Sequence, residues 1–285
     1  MSAWRAGSIP ACRSAVRVPV DRALAFAGMG ALVALNAIAP QLIVMLRAAG
    51  PLDTFSWLGG ISAVVWFALY ALLLLGLEGA AEPLRRADGF VLLGALVAAV
   101  LPISFAAQAG LLALGLYLFA GAAPDSRERR IAMVLLALTG PLLWGKLLLN
   151  LFAMPVLSLD ARVVGFILHS PVEGNVLHFA HSSRRFLIAA PCSSIHNISL
   201  AVLLWTVALA LFRLRPDSRL MLYGAAAILL MFALNFARLA AIGFHPEQFV
   251  FLHDGVGAML FGWAALLGAG TVVGFGANDA LRRQR

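Results

Sequence analysis

The chain has 285 residues, of which 62% are hydrophobic and only 12% charged, with a mean hydropathy of +0.94. A soluble domain needs far more polar surface to cover its core, so water is excluded as the main solvent and a lipid bilayer is the expected one. The net charge of +8 does not call for a nucleic acid, because the arginines sit in small clusters between apolar runs and build no continuous basic face.

Residues 1–22 are polar, carry Arg5, Arg13, Arg17 and Arg22, and read as a cytoplasmic tail. No small-residue cleavage site ends the apolar run that follows, so that run is expected to be a first span and not a removed signal peptide. A spanning helix takes about 20 apolar residues, and the length suits about eight of them with short loops. The runs fall at about 23–46, 55–77, 89–105, 107–123, 131–153, 192–212, 220–243 and 253–275. The stretch 89–123 is too long for one ordinary span, and Pro102 with Ser104 and Gln108 marks a turn between two short ones. The fold class is therefore all-α and polytopic, with helices 1–5 over 23–153, helices 6–8 over 192–275 and a basic cytoplasmic tail at 276–285.

The arginines set the orientation. With both termini inside, the inner segments hold Arg5, Arg13, Arg17, Arg22, Arg85, Arg86, Arg127, Arg129, Arg130, Arg213, Arg215, Arg219, Arg282, Arg283 and Arg285. The outer segments hold only Arg47, Arg162, Arg184 and Arg185. Seven spans would put one end of this pattern on the wrong side, so eight satisfy the positive-inside rule. Cys12 and Cys192, the only cysteines, then lie on opposite faces and form no disulfide. The one long connection, 154–191, is extracytoplasmic. Its runs ARVVGFIL, GNVLHFA and RRFLIAA, parted by SPVEGN and HSS, are expected to form two or three short strands at the membrane surface.

Ionisable groups within spans are expensive and mark function by default. Cys192 opens the sixth span in APCSSIHNISL, behind Pro191 and ahead of Ser193 and Ser194. At a helix start, unpaired N–H groups lower a thiol's pKa and make a usable nucleophile. Arg238 lies in LNFARLAAIGF, with Asn235 one turn earlier on the same face, as a fixed cation suited to a carboxylate or an oxyanion. His253 starts the eighth span beside Asp254 and ahead of Gly255 and Gly257, and is the natural acid or base for a thiol.

Topology brings Cys192, Arg238 and His253 to one outer face from three helices, and together they are the parts an acyl-transfer site needs. Each also has a plain alternative: a gap-filling thiol, a snorkelling arginine, an interfacial histidine. His196, four residues after Cys192, is a rival base if both stand on one helix face. Lys146, with Asn150 one turn beyond, lies in the outer half of the fifth span and is expected to line the same cavity or to snorkel. His245 in FHPEQF is expected to be solvated, and His169, His178 and His181 lack the spacing of a zinc site. No phosphate loop, dinucleotide fingerprint or His-Glu-x-x-His signature occurs, and no metal or organic cofactor is implied.

In order and spacing, GNVLHFA…RRFLIAAPCSS, LNFARLA and LHDGVGAMLFGW resemble the core of the exosortase/archaeosortase family of membrane-embedded cysteine transpeptidases and proteases. The matching positions are Gly174 with Asn175, Cys192, Asn235 with Arg238, and His253 with Gly257, within about 165–275. The resemblance implies that Cys192 attacks a peptide carbonyl to form a thioester, Arg238 steadies the oxyanion and His253 moves the proton. It implies substrates that are exported proteins bearing a Pro-Glu-Pro-type motif, a spanning helix and a basic tail. They would be cut at the outer face of the cell (inner) membrane.

The family usually reads Cys-Ser-Gly where this chain has Ser194 in the glycine position, followed by Ile195 and His196. Ser194, His196, Asn235 and Lys146 are thus candidate substrate contacts. A membrane acyltransferase using the same cysteine and histidine on a lipid thioester fits the residues alone almost as well. A transporter fits less well, because its polar residues would spread through the bilayer midplane in broken helices of matching halves.

Overall fold

The structure is a computed structural model that describes residues 20–80, 82–101, 103–178, 185–253 and 255–284. Arg5, Cys12, Arg13, Arg17, Pro102, His181, Arg184, Asp254 and Arg285 lie outside the described residues. The chain is an all-α polytopic membrane protein with a small antiparallel sheet. Ten helices are described: α1 Arg22–Ser56, α2 Ala63–Leu77, α3 Arg86–Val100, α4 Ser104–Gly121, α5 Arg127–Thr139, α6 Gly145–Leu168, α7 Ser194–Leu211, α8 Ser218–Phe244, α9 Phe249–His253 and α10 Val256–Gln284. Five helical runs are long and apolar enough to cross a bilayer alone, one of them α5 and α6 joined through residues 140–144, and α2 and most of α4 form shorter apolar ones. Their outer faces carry large apolar side chains such as Leu116, Leu222 and Leu267, as lipid contact requires.

Local chemistry explains the boundaries. Ser62, Ser126 and Asp217 cap α2, α5 and α8 by accepting backbone N–H groups at the helix starts. Gly50, with φ +81 and Pro51 after it, kinks the end of α1. A π-helical turn, Gly140–Trp144, joins α5 to α6 where Pro141 lacks the N–H that a regular ladder needs. The close approach of α3 and α4 rests on small residues, since a Cβ added at Gly110 would lie 3.1 Å from that of Ala98.

Among the described residues two main buried clusters divide the interior, beside a small third of Leu209, Leu214, Leu220, Ala277 and Ala280. The larger is built mainly from α1, α2, α4, α5 and α7. The smaller collects Leu157, Val164, Leu177, Phe186, Ile188, Cys192, Phe236, Leu239 and Leu252 from α6, the sheet, α8 and α9. It lies at the arginine-poor end. At the arginine-rich end, Arg22 and Asp88 form a buried bidentate pair at 2.8 and 3.1 Å, and Tyr117 donates to the same carboxylate at 2.9 Å. Arg127 holds Asp21 at 2.7 Å.

The long connection differs from the expected one. Residues 161–168, expected as a strand, continue α6 to Leu168. The helical stripe Leu157, Asp160, Ala161, Val164 and Gly165 is buried as one face, a 3.6-residue period that outweighs the β-branched content of ARVVGFIL. His169 ends the helix in a left-handed conformation, φ +53. The strands are β1 Val172–Glu173, β2 Val176–His178 and β3 Arg185–Leu187, in spatial order β1-β2-β3. Gly174, with φ +61, supplies the first central residue of the two-residue hairpin between β1 and β2, which a side chain would strain.

Candidate active site

Cys192 stands at the end of a 3-10 turn, Ala190–Cys192, and the regular helix begins only at Ser194. The sequence places the cysteine in the helix; the structure places it one step before, because Ser193 is extended and takes the cap position. The turn is tied on three sides. Upstream, Asn175 accepts from Ile188 N–H at 3.0 Å and its Nδ2 donates to the Ile188 carbonyl at 2.9 Å, which fastens the strand leading into the turn. At the cysteine itself, Asn235 Nδ2 on α8 donates to the Cys192 carbonyl at 3.0 Å. Downstream, Asp160 on α6 accepts from Ser194 N–H at 3.0 Å and from Ser194 Oγ at 2.6 Å, with both residues buried.

The thiol is 1% exposed, and Cys192 Sγ lies 3.2 Å from His253 Nε2. His253 ends α9 and does not open the last span, which starts at Val256. Its ring stacks on Phe249 at 4.8 Å with a 12° interplanar angle, and Phe249 meets Phe186 edge-on at 5.9 Å. Gly257, the last motif residue, is buried, and an added Cβ would fall 2.8 Å from the Phe251 carbonyl oxygen. A side chain there would push α9 away from α10 and move His253.

The helix-start argument for activating the thiol changes with this geometry. The first N–H of α7 is taken by the Asp160 carboxylate and that of Ile195 by Ser193 Oγ at 3.3 Å. A carboxylate at a helix N-terminus is itself favourable, but those donors no longer face sulfur. The thiol–imidazole contact has the geometry a histidine base needs to take a thiol proton.

Arg238 lies on α8 one turn beyond Asn235, beside Leu239 of the buried cluster that contains Cys192. Its Nε is buried and has no hydrogen-bond partner among the described residues. His196 does not share a helix face with Cys192, because the cysteine is outside the helix. Its ring instead lines a cavity of about 400 Å³ with Gln41, Ser62, Lys146 and Ala190. Ala190 and His196 bracket the cysteine in sequence, so the cavity adjoins the thiol's turn without opening on sulfur. A second, more apolar hollow of about 340 Å³, with Trp57, Met231, Met259 and Trp263, has His196 in its wall as well.

Ser194 and Asn235, candidates for substrate contact, have the Ser194 hydroxyl and the Asn235 Nδ2 engaged within the protein. Lys146 keeps its place in the cavity wall and has no ion pair among the described residues. His245 is exposed, 3.2 Å from Glu247. Among the described residues no three His, Cys, Asp or Glu side chains are grouped to hold a metal.

Asp160 is the site residue missed in the sequence. Its signal was an acidic residue inside the apolar run MPVLSLDARVVGF, hidden once that run was assigned to a surface loop.

The fold and this part-buried cysteine–histidine pair describe a multi-pass membrane protein with a thiol site at one end. The model of the transmembrane exosortase family matches residues 57–270, and the chain belongs to that family. Membership gives it, in general terms, a transpeptidase- or protease-like role at the membrane. No curated protein and no solved structure matches the chain.

Proposed function

We propose that this chain cleaves C-terminal sorting signals of exported proteins at the extracytoplasmic face of the cell (inner) membrane, through a thioester on Cys192. The observation that carries the proposal is the 3.2 Å separation of Cys192 Sγ and His253 Nε2. His253 takes the thiol proton as sulfur adds to the scissile carbonyl. The carbonyl oxygen becomes an oxyanion, which Arg238 stabilises as a fixed cation; one such donor is commonly worth about 100–1,000-fold in rate. The protonated His253 then gives its proton to the departing amine, the C–N bond breaks, and a Cys192 thioester remains. Water or an acceptor amine resolves it with His253 again moving the proton.

The substrate would bring a Pro-Glu-Pro-type motif, a spanning helix and a basic tail. Its helix suits the apolar hollow beside Met231, Met259 and Trp263, and its peptide suits the adjoining cavity, whose polar groups are Gln41, Ser62, Lys146 and His196. In this arrangement Asn235 and Ser194 serve by holding the cysteine turn.

The test is co-expression with an exported protein of that design, comparing intact enzyme with Cys192→Ala by intact mass. A shorter product made only by the intact enzyme supports the proposal, and its mass gives the bond and any attached acceptor. Processing by Cys192→Ala refutes the nucleophile. Full-length substrate in both, together with transfer of labelled lipid acyl groups to Cys192, shifts the assignment to a membrane acyltransferase.

A further inference from the structure

A basic pocket lies at the opposite end of the molecule from Cys192, between the α4–α5 and α7–α8 connections. It encloses about 360 Å³, and its wall includes Arg129, Arg130, Arg213, Arg215 and Asp125 over an apolar floor with Met133 and Leu209. Arg129 donates to the Phe119 carbonyl at 2.6 Å and lies over the Phe119 ring. Arg130 reaches Glu78 at 2.9 Å and the Ala210 carbonyl at 3.0 Å, and its buried Nε has no partner among the described residues.

Arg213 pairs with the same Glu78, and Arg215 meets Asp125 at 2.5 Å. The four guanidinium groups therefore face two carboxylates and leave two positive charges uncompensated. The backbone is held unusually here too. Asp125 and Arg213 have φ of +64 and +52, a left-handed conformation that side chains other than glycine adopt at a cost.

We propose that this pocket binds the phosphodiester headgroup of an anionic phospholipid. Of the helices whose ends frame it, α4, α7 and α8 are largely apolar and α5 becomes so after its first turn, so it sits at headgroup depth, where basic pockets between spans attract anionic lipids. The excess charge matches a phosphodiester, guanidinium groups match phosphate oxygens by their paired donors, and the apolar floor suits the start of an acyl chain. The two outer arginines are the exchangeable ones. Arg213 and Arg215 are 66% and 77% exposed, and exposed ion pairs hold weakly enough for a phosphate to share their donors.

The experiment uses the full chain in nanodiscs of phosphatidylcholine titrated with phosphatidylglycerol. Retained lipid is read by native mass spectrometry and the thermal midpoint is followed in parallel. Expected are selective retention of phosphatidylglycerol, a rise in the midpoint, and about thirtyfold weaker binding in the double variant Arg213→Gln, Arg215→Gln. A control with Arg86→Gln and Arg282→Gln removes the same charge at the same end outside the pocket, and is expected to retain the lipid. Equal loss in the control would reduce the effect to bulk charge and overturn the site. Equal retention of both lipids, or unchanged retention in the double variant, also overturns it. So does a midpoint raised as much by millimolar inorganic phosphate in pure phosphatidylcholine, which would make this a free-anion site.

Discussion

Replacing Ser194 by glycine restores the residue more usual in the family, yet the geometry requires it to weaken this protein. Ser194 Oγ donates to Asp160 Oδ1 at 2.6 Å, and Ser194 N–H donates to Oδ2 at 3.0 Å. Ser194→Gly leaves a carboxylate, itself 2% exposed, with one of these two donors. A hydrogen bond to a charged group is worth about 1.5–3 kcal/mol, and losing it inside the protein takes away at least that much. Asp160→Asn removes the charge from the start of α7, about 0.3–1 kcal/mol. It also turns the Ser194 hydroxyl into the acceptor of an amide NH2, so the charge-assisted bond becomes a neutral one worth about 0.5–1.5 kcal/mol. In that background Ser194→Gly removes only the neutral bond and costs correspondingly less. The double-mutant cycle should therefore show a coupling of about 1–2 kcal/mol, well outside the additivity expected of independent sites, roughly 0.5 kcal/mol. The assay is reversible unfolding of the reconstituted protein by a denaturing detergent. Additive effects within that margin would refute the claim that Asp160 and Ser194 act as a unit.

Replacing His253 with glutamine keeps a polar group near sulfur but removes the base, so the rate of substrate processing should fall about 100- to 10,000-fold with insertion unchanged. A smaller loss would mean that the 3.2 Å contact is not the proton path. Gly257→Ala drives a methyl towards Phe251 and should lower processing with little change in the yield of inserted protein, since the overlap falls on α9. Unaltered processing would show that His253 does not depend on that packing. At the arginine-rich end, burial raises the Glu78 pKa, but the hydrogen bonds from Arg213 and then Arg130 outweigh it and hold the carboxylate below the usual glutamate range. A depressed folded-state pKa means stability that is complete above the unfolded value and is lost as the pH falls through the folded one. The thermal midpoint should thus drop on acidification below the ordinary glutamate range, and Glu78→Gln should flatten that drop; parallel curves would assign it to other carboxylates.

The all-α, multi-pass character was legible because lipid demands long apolar runs, and the arginine clusters gave an expected direction for them. That Cys192, His253 and Asn235 would meet was legible because ionisable or amide groups are rare in such runs. Asp160 was not, because ARVVGFIL alternates well enough to pass for a strand over eight residues. The helical period shows only when Leu157 and Asp160 are counted with Ala161, Val164 and Gly165. His196 misled for a related reason. An i, i+4 spacing places two side chains together only if both residues are helical, and Ser193 breaks the helix between them.

Taken one by one, the motif residues act mostly on backbone. Gly174 forms the hairpin, Asn175 clamps Ile188, Asn235 holds the Cys192 carbonyl, and Gly257 lets α9 lie close to α10. The thiol and the imidazole face each other through side chains. The departure at Ser194 fits this pattern. A glycine in that position would present only its N–H to α6, whereas the serine adds a hydroxyl that Asp160 accepts, so the turn carrying Cys192 gains a third anchor beside Asn175 and Asn235. A reacting sulfur must stay within a fraction of an ångström of its base through attack and release. A turn held by three buried or half-buried polar side chains from the sheet, α6 and α8 keeps that distance, and under the proposed function the neighbouring cavity with Lys146 and His196 is where the peptide would arrive.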